Sequence, residues 1–151
     1  MIIAPDIRWQ WNAIKSTSLL ANVLIQQQAS EAGAVDALLH RDGWLTEAST
    51  SNAFVFQDGA LLTPPLSDRL LPGITRHLVL ELARKHGLTV LETEISIDQL
   101  PQADLVMITS STRGLVPITR LLPDQTIGRG EVPAVFETLQ ADYQRVLHAH
   151  P

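Results

Sequence analysis

Cysteine is missing from the 151-residue chain, which removes disulfides and thiolate metal sites from consideration. Lysine is nearly missing: only Lys15 and Lys85 occur, so chemistry that needs a side-chain amine has two candidates. Positive charge is in deficit, with a net charge of −5, which argues against nucleic acid or an anionic membrane surface as the main partner. No apolar run approaches the roughly 20 residues of a membrane span. The first residues lack the basic-then-apolar order of a secretory signal. Metal-like spacing is absent among the five histidines apart from His148 and His150, which read as a frayed helix end. There is no internal repeat and no low-complexity tract. The expectation is a soluble, cytoplasmic protein.

What the chain does have is enough apolar sequence, 45% of residues, to build one domain with a real core. Two Asp-Gly pairs, Asp42-Gly43 and Asp58-Gly59, lie between short apolar runs and predict hairpins. Helices are predicted over 17–32, 74–86 and 133–149. Their apolar stripes are Leu19, Leu20, Val23 and Leu24; Ile74, Leu78 and Leu82; and Val135, Phe136, Leu139, Tyr143, Val146 and Leu147. Ser16, Thr17 or Ser18 is expected to cap the first helix. Ile7–Trp11 alternates as a short strand, Thr89–Ile95 reads as another with Glu92 and Glu94 toward solvent, and Leu105–Ile108 is a buried strand run. The fold class is therefore α/β in the α+β sense. Mostly antiparallel strands curve into a sheet or pseudo-barrel with helices outside.

The stretch from Gly43 to Arg76 carries the chemical signal. Glu47 is followed by the small polar run Ala48-Ser49-Thr50-Ser51-Asn52, and Pro72-Gly73 opens a helix at Ile74. A helix start offers free N–H groups and the positive end of the dipole, which suits a phosphate. A carboxylate at a set distance from a phosphate seat suits a ligand that is cationic at one end and phosphorylated at the other, such as pyridoxal phosphate. Each element has a plainer reading as well. Glu47 alone is equally a solvated strand end, and Pro72-Gly73 an ordinary turn. Thr109-Ser110-Ser111-Thr112 is either a set of phosphate donors or a hydroxyl-rich connector. Lys15 is either a snorkelling surface lysine or, set between a strand and an apolar helix, a partly desolvated amine fit for Schiff-base chemistry.

The wording of these blocks resembles one family. T-E-x-S-x-S-N at 46–52, D-G-x-L-x-T-P at 58–64 and L-P-G-I-T-R at 71–76 resemble the fold-type IV pyridoxal-phosphate enzymes, as does I-K-S-T-S-L-L-A-N-V-L at 14–24. That family comprises D-amino-acid aminotransferases, branched-chain aminotransferases and aminodeoxychorismate lyases. Nearly the whole chain is similar to the family's C-terminal domain, and residues 1–151 are expected to be that single domain without the N-terminal one. The resemblance implies pyridoxal phosphate held by Lys15 as an aldimine, with Glu47 at the pyridine nitrogen. It implies a phosphate bound by the N–H groups of Ile74 and Thr75 and by Ser110 and Ser111, and Arg8 in the polar network around Glu47. It implies amino-acid and 2-oxo-acid substrates and a homodimer. Leu20 stands where branched-chain enzymes tend to carry Tyr, so the D-amino-acid branch is expected. A branched-chain enzyme, a lyase or a truncated, inactive cofactor-binding module are the alternatives. Val132 stands where the family usually has Gly before Pro133, a departure that touches loop shape and not chemistry.

Overall fold

The computed structural model describes residues 1–149, so His150, one member of the expected histidine pair at the tail, lies outside the described residues. Strand β1 (Ile2–Pro5) runs parallel to β2 (Ala37–Arg41), which turns back into β3 (Trp44–Ala48). A second sheet holds β4 (Asn52–Gln57), β5 (Ala60–Thr63), β6 (Thr89–Glu92), β7 (Leu105–Ser110) and β8 (Gly114–Ile118). Its spatial order is β6-β5-β4-β7-β8. A short ribbon of β9 (Arg120–Leu121) and β10 (Gln125–Thr126) follows. The helices are α1 (Leu20–Glu31), α2 (Ile74–Lys85) and α3 (Ala134–Ala149). Pairing is antiparallel except for β1 with β2 and β5 with β6. The α+β expectation holds, with the strands in three open sheets.

Both Asp-Gly pairs make the hairpins expected of them. Asp42 and Gly43 have φ of 53° and 83°, and Asp58 and Gly59 have 50° and 76°. Positive φ at both central residues is the turn whose twist matches its flanking strands, and Asp and Gly reach it at least cost.

Alternation of side chains across the strands sets the layers. On β4, Phe54 and Phe56 face one way and pack with Val79, Leu80 and Ala83 of α2 and Phe136, Leu139 and Tyr143 of α3. Ala53 and Val55 face the other way and meet Leu38, Leu45 and Ala48 of the first sheet. The far face of that sheet, Ala4, Ala37 and Leu39, packs on Ile25 and Ala29 of α1. The order is thus α1, first sheet, second sheet, then α2 with α3. Strands buried on both faces explain the continuous apolar runs at 53–56 and 105–108. Each fully buried Phe or Leu in these layers contributes roughly 1.5–3 kcal/mol.

Some local expectations fail for physical reasons. Ile7–Trp11 is not a strand; the strand lies earlier, at Ile2–Pro5. Beyond it Asp6 turns the chain by accepting from the Arg8 N–H at 3.2 Å, and Ile7, Trp9 and Trp11 are exposed. No hydroxyl caps α1, which begins after Leu19, because Ser16 Oγ instead accepts from the Ser18 N–H. The expected stripe of α1 (Leu19, Leu20, Val23, Leu24) is exposed, and Ile25 and Ala29 are buried. The helix is apolar on two sides, and the small residues of the first sheet receive its Ile25-Ala29 side. In α2, Ile74 is 84% exposed, while Thr75, Val79, Leu82 and Ala83 are buried. Glu92 faces Arg76 and Arg84, at 2.8 and 3.3 Å, and not solvent alone.

Candidate functional site

Four segments meet at one edge of the two sheets: the loop before α1, the β3–β4 connection, the start of α2 and the β7–β8 turn. Between them lies a cavity of about 340 Å³. Arg8, Lys15, Glu47, Ile74, Thr75, Ser110 and Ser111 all line it, so every residue singled out from the sequence is brought to one place.

Glu47 occupies the penultimate position of β3 and is 4% exposed. Its Oε1 accepts from Arg8 Nη1, and its Oε2 accepts from Asn52 Nδ2 at 3.0 Å and from the Leu71 N–H at 3.2 Å. The partner absent from Glu47's sequence neighbourhood is therefore Arg8, 39 residues away. Arg8 is itself buried and anchored by Asp6, which accepts from Nε at 2.8 Å and from Nη2 at 2.9 Å. Asp6 also accepts from Thr46 Oγ1 at 3.1 Å and faces Arg41. Burial works against the Asp6 charge, but Arg8 and Arg41 outweigh it and hold Asp6 below its ordinary value. For Glu47 the balance goes the other way. Burial pushes it up to about 7, against the lowering by Arg8 and the Leu71 N–H. One guanidinium shared between two buried carboxylates leaves Glu47 short of positive charge, and a protonated ring nitrogen in the cavity would supply it.

The cavity wall at the start of α2 is rich in donors. Gly73 caps α2 without a side-chain bond, and His77 makes the first helical bond, to the Gly73 carbonyl at 3.0 Å. The N–H groups of Ile74 and Thr75 precede that bond and have no helical carbonyl to meet. Ile74 thus offers the cavity its backbone N–H, its side chain standing in solvent. A Cβ on Gly73 would lie 2.2 Å from Asn52 Oδ1, so only glycine lets the helix start approach the residue that holds Glu47. Across the cavity Ser110 Oγ accepts from the Arg113 N–H at 3.2 Å, and Ser111 is exposed.

Lys15 differs from expectation. It is exposed, and no hydrogen bond or ion pair of its ammonium occurs among the described residues. The loop that carries it is a long connection from β1 to α1, not the end of a strand at Ile7–Trp11, and is tied down through Asn12, whose N–H donates to the Asp68 carbonyl at 2.7 Å. Around it Trp9, Trp11, Ile14, Leu19 and Leu20 stand exposed, an apolar rim beside the cavity.

Two contributors were missed as individuals. Ser51 Oγ and Thr109 Oγ1 are buried with no hydrogen-bond partner, and both residues line the cavity. They sit at the same end of paired strands, since Asn52 lies opposite Thr109. An unpaired buried hydroxyl costs about 1–3 kcal/mol, and two facing one cavity suit an acceptor-bearing ligand. The sequence shows both as small polar residues at strand ends, and only the strand register brings them together. Asp6 was likewise missed; its place two residues before Arg8 was the available signal.

Residues 3–121 match the family model described as amino-transferase class IV. The chain is 41% identical over 143 residues to a D-alanine aminotransferase of Bacillus licheniformis, covering 95% of this chain and 50% of that protein. Among solved structures, an aminotransferase from Brucella abortus bound to the cofactor PLP aligns with a TM-score of 0.76 at 29% identity, over 85% of this chain and 45% of that one. The branched-chain amino acid aminotransferase from Escherichia coli aligns with a TM-score of 0.79 at 26% identity, over 95% and 51%. The chain spans about half the length of the curated relatives it matches. With the buried carboxylate, the exposed amine and the donor-rich helix start gathered in one cavity, and with the family model matched over most of its length, the chain belongs to the class IV aminotransferases.

Proposed function

We propose that the chain is the cofactor-bearing part of a pyridoxal-phosphate-dependent aminotransferase that acts on D-amino acids of the alanine type and 2-oxo acids. The observation that carries this reading is the single cavity lined by a buried, cation-seeking Glu47, by unpartnered N–H and O–H donors and by the exposed amine of Lys15. Those residues fit a ligand with a basic ring nitrogen and a phosphate. When bound, pyridoxal phosphate supplies a conjugated ring that accepts the electron pair left on the substrate Cα.

The chain's own groups divide the remaining work. Lys15 Nζ is the point of covalent attachment and the base that takes the proton from the substrate Cα. Glu47 keeps a proton on the ring nitrogen, and that cationic ring together with Arg8 favours the ionised form of Glu47 against its burial. The N–H groups of Ile74 and Thr75, with the hydroxyls of Ser110 and Ser111, hold the phosphate. The apolar rim around Lys15 is the surface on which the other half of the fold would sit, bringing the groups that hold the substrate carboxylate and excluding water. The D-alanine aminotransferase likeness supports the D-amino-acid branch, as does Leu20, five residues after Lys15, where branched-chain enzymes tend to carry Tyr. The Escherichia coli branched-chain structure favours a branched-chain aminotransferase as the rival reading. Cytoplasmic, homodimeric assembly completes the proposal, and among the described residues no helix is long and apolar enough to cross a membrane.

Positioning of reacting groups is worth roughly 7–11 kcal/mol of barrier, so the 151 residues alone are expected to show negligible turnover. The test follows pyruvate release from D-alanine and 2-oxoglutarate, with and without a matching N-terminal half, and then replaces D-alanine by L-leucine and follows glutamate. Activity with D-alanine only when both halves are present is the expected result. Robust turnover by the chain alone contradicts the incomplete site, and preference for L-leucine moves the protein to the branched-chain group.

A further inference from the structure

Beyond the groups that touch the cavity, one fully buried carboxylate joins the walls that form it. Asp36 lies just before β2 and is 0% exposed. Its Oδ1 accepts from the Ala37 N–H at 2.8 Å, from the Ser49 N–H at 3.3 Å and from Ser49 Oγ. Its Oδ2 accepts from Arg113 Nη1 at 3.1 Å. Ser49, also fully buried, stands two residues after Glu47, and its carbonyl accepts from Asn22 Nδ2 of α1 at 2.5 Å. Arg113 closes the β7–β8 turn, and its N–H donates to Ser110 Oγ. One carboxylate therefore links the end of the Glu47 strand, the helix that follows Lys15 and the loop bearing Ser110 and Ser111. These groups come from different sheets, and no direct hydrogen bond joins the Ser110–Thr112 loop to the Glu47 strand among the described residues.

We propose that Asp36 is a positioning residue: through Ser49 and Arg113 it fixes the spacing between Glu47 and the Ser110–Ser111 loop in the cavity wall. In terms of ligand the proposal rests on the pyridoxal-phosphate reading, and its role is to match the cavity's length to a phosphorylated ring. A charge-assisted hydrogen bond inside protein is among the stronger ties available. Arg113 is 40% exposed, so replacing it removes the tie without opening the core.

The test uses the full chain and two variants that change net charge in opposite senses, Arg113→Gln and Asp36→Asn. Binding of pyridoxal phosphate and of unphosphorylated pyridoxal is measured by absorbance titration. Both variants are expected to weaken pyridoxal phosphate about tenfold, as loss of a charged hydrogen bond warrants. Arg113→Gln is expected to leave pyridoxal within about twofold, and Arg113→Lys, which can still reach Asp36, to restore binding. Tighter pyridoxal-phosphate binding by Asp36→Asn would show that only long-range charge matters and would overturn the proposal. Equal weakening of both ligands by Arg113→Gln would overturn it too. Amide hydrogen exchange gives a readout that needs no ligand. Both variants should speed exchange in 49–52 and 110–113 while the strand core keeps its protection, and unchanged exchange there refutes the clamp. A wild-type chain that binds no pyridoxal phosphate contradicts the proposed function, and the exchange result still decides the clamp.

Discussion

Replacing Glu47 by Gln should change how the stability of the ligand-free chain depends on pH. Burial raises Glu47 from an ordinary 4.5 to about 7, so the folded chain binds this proton more tightly than the unfolded one. The stability contributed is fully present below about pH 4.5 and is lost as pH rises through about 7. At about 1.4 kcal/mol per tenfold change in proton affinity, the loss is about 3 kcal/mol, a large part of a small domain's margin. Gln mimics the protonated acid and cannot titrate, so its profile should lack that fall. The buried Met1 α-amino group, lowered from 8.0 mainly by burial, adds stability as pH rises, but it does so in both proteins and cancels in the comparison. Asp6, held low by Arg8 and Arg41 against burial, acts only under more acidic conditions. The assay is urea unfolding from pH 5 to 8 for both proteins, read as the difference between the two curves. Parallel curves would refute the reasoning and mean that Arg8 outweighs burial at Glu47.

Two further outcomes follow from the cavity walls. Thr109→Val removes an unpartnered buried hydroxyl, so the ligand-free chain should gain about 1 kcal/mol in urea unfolding while pyridoxal-phosphate binding weakens; a loss of stability together with unchanged binding would show that the hydroxyl serves the fold. Gly73→Ala forces a Cβ onto Asn52 Oδ1 and should destabilise by about 1–3 kcal/mol, and adding Asn52→Ala should recover part of that in a double-mutant cycle. Additive effects of the two changes would contradict the close approach.

Much of this architecture is legible locally. The Asp-Gly turns, the helix start after Pro72-Gly73 and the buried run at 105–108 depend on neighbours a few residues away, and they fold as the sequence indicates. Which side of a helix meets the core is not local. Leu19, Leu20, Val23 and Leu24 keep helical spacing as well as any core stripe, yet the first sheet takes Ile25 and Ala29 instead. The site reads in the same divided way. The family resemblance brings seven cavity residues into view, Arg8 beside Glu47 among them, but the anchoring of Arg8 by Asp6, the orphaned Ser51 and Thr109, and the Asp36–Ser49–Arg113 link depend on the folded arrangement of the chain. Lys15 shows the limit most clearly. Its place before an apolar helix suggests burial, whereas that helix turns its apolar stripe outward and leaves the amine exposed.

The central claim is that Lys15, and not Lys85, is the amine that takes the cofactor. It is tested by adding pyridoxal phosphate to the purified chain, reducing with borohydride and mapping the modified peptide. The account predicts a new visible absorption band and a pyridoxyl group on Lys15, both lost in Lys15→Ala, a substitution that should leave the fold intact because the side chain is exposed and has no partner among the described residues. A pyridoxyl group found mainly on Lys85, or no modification of a folded chain, would contradict it.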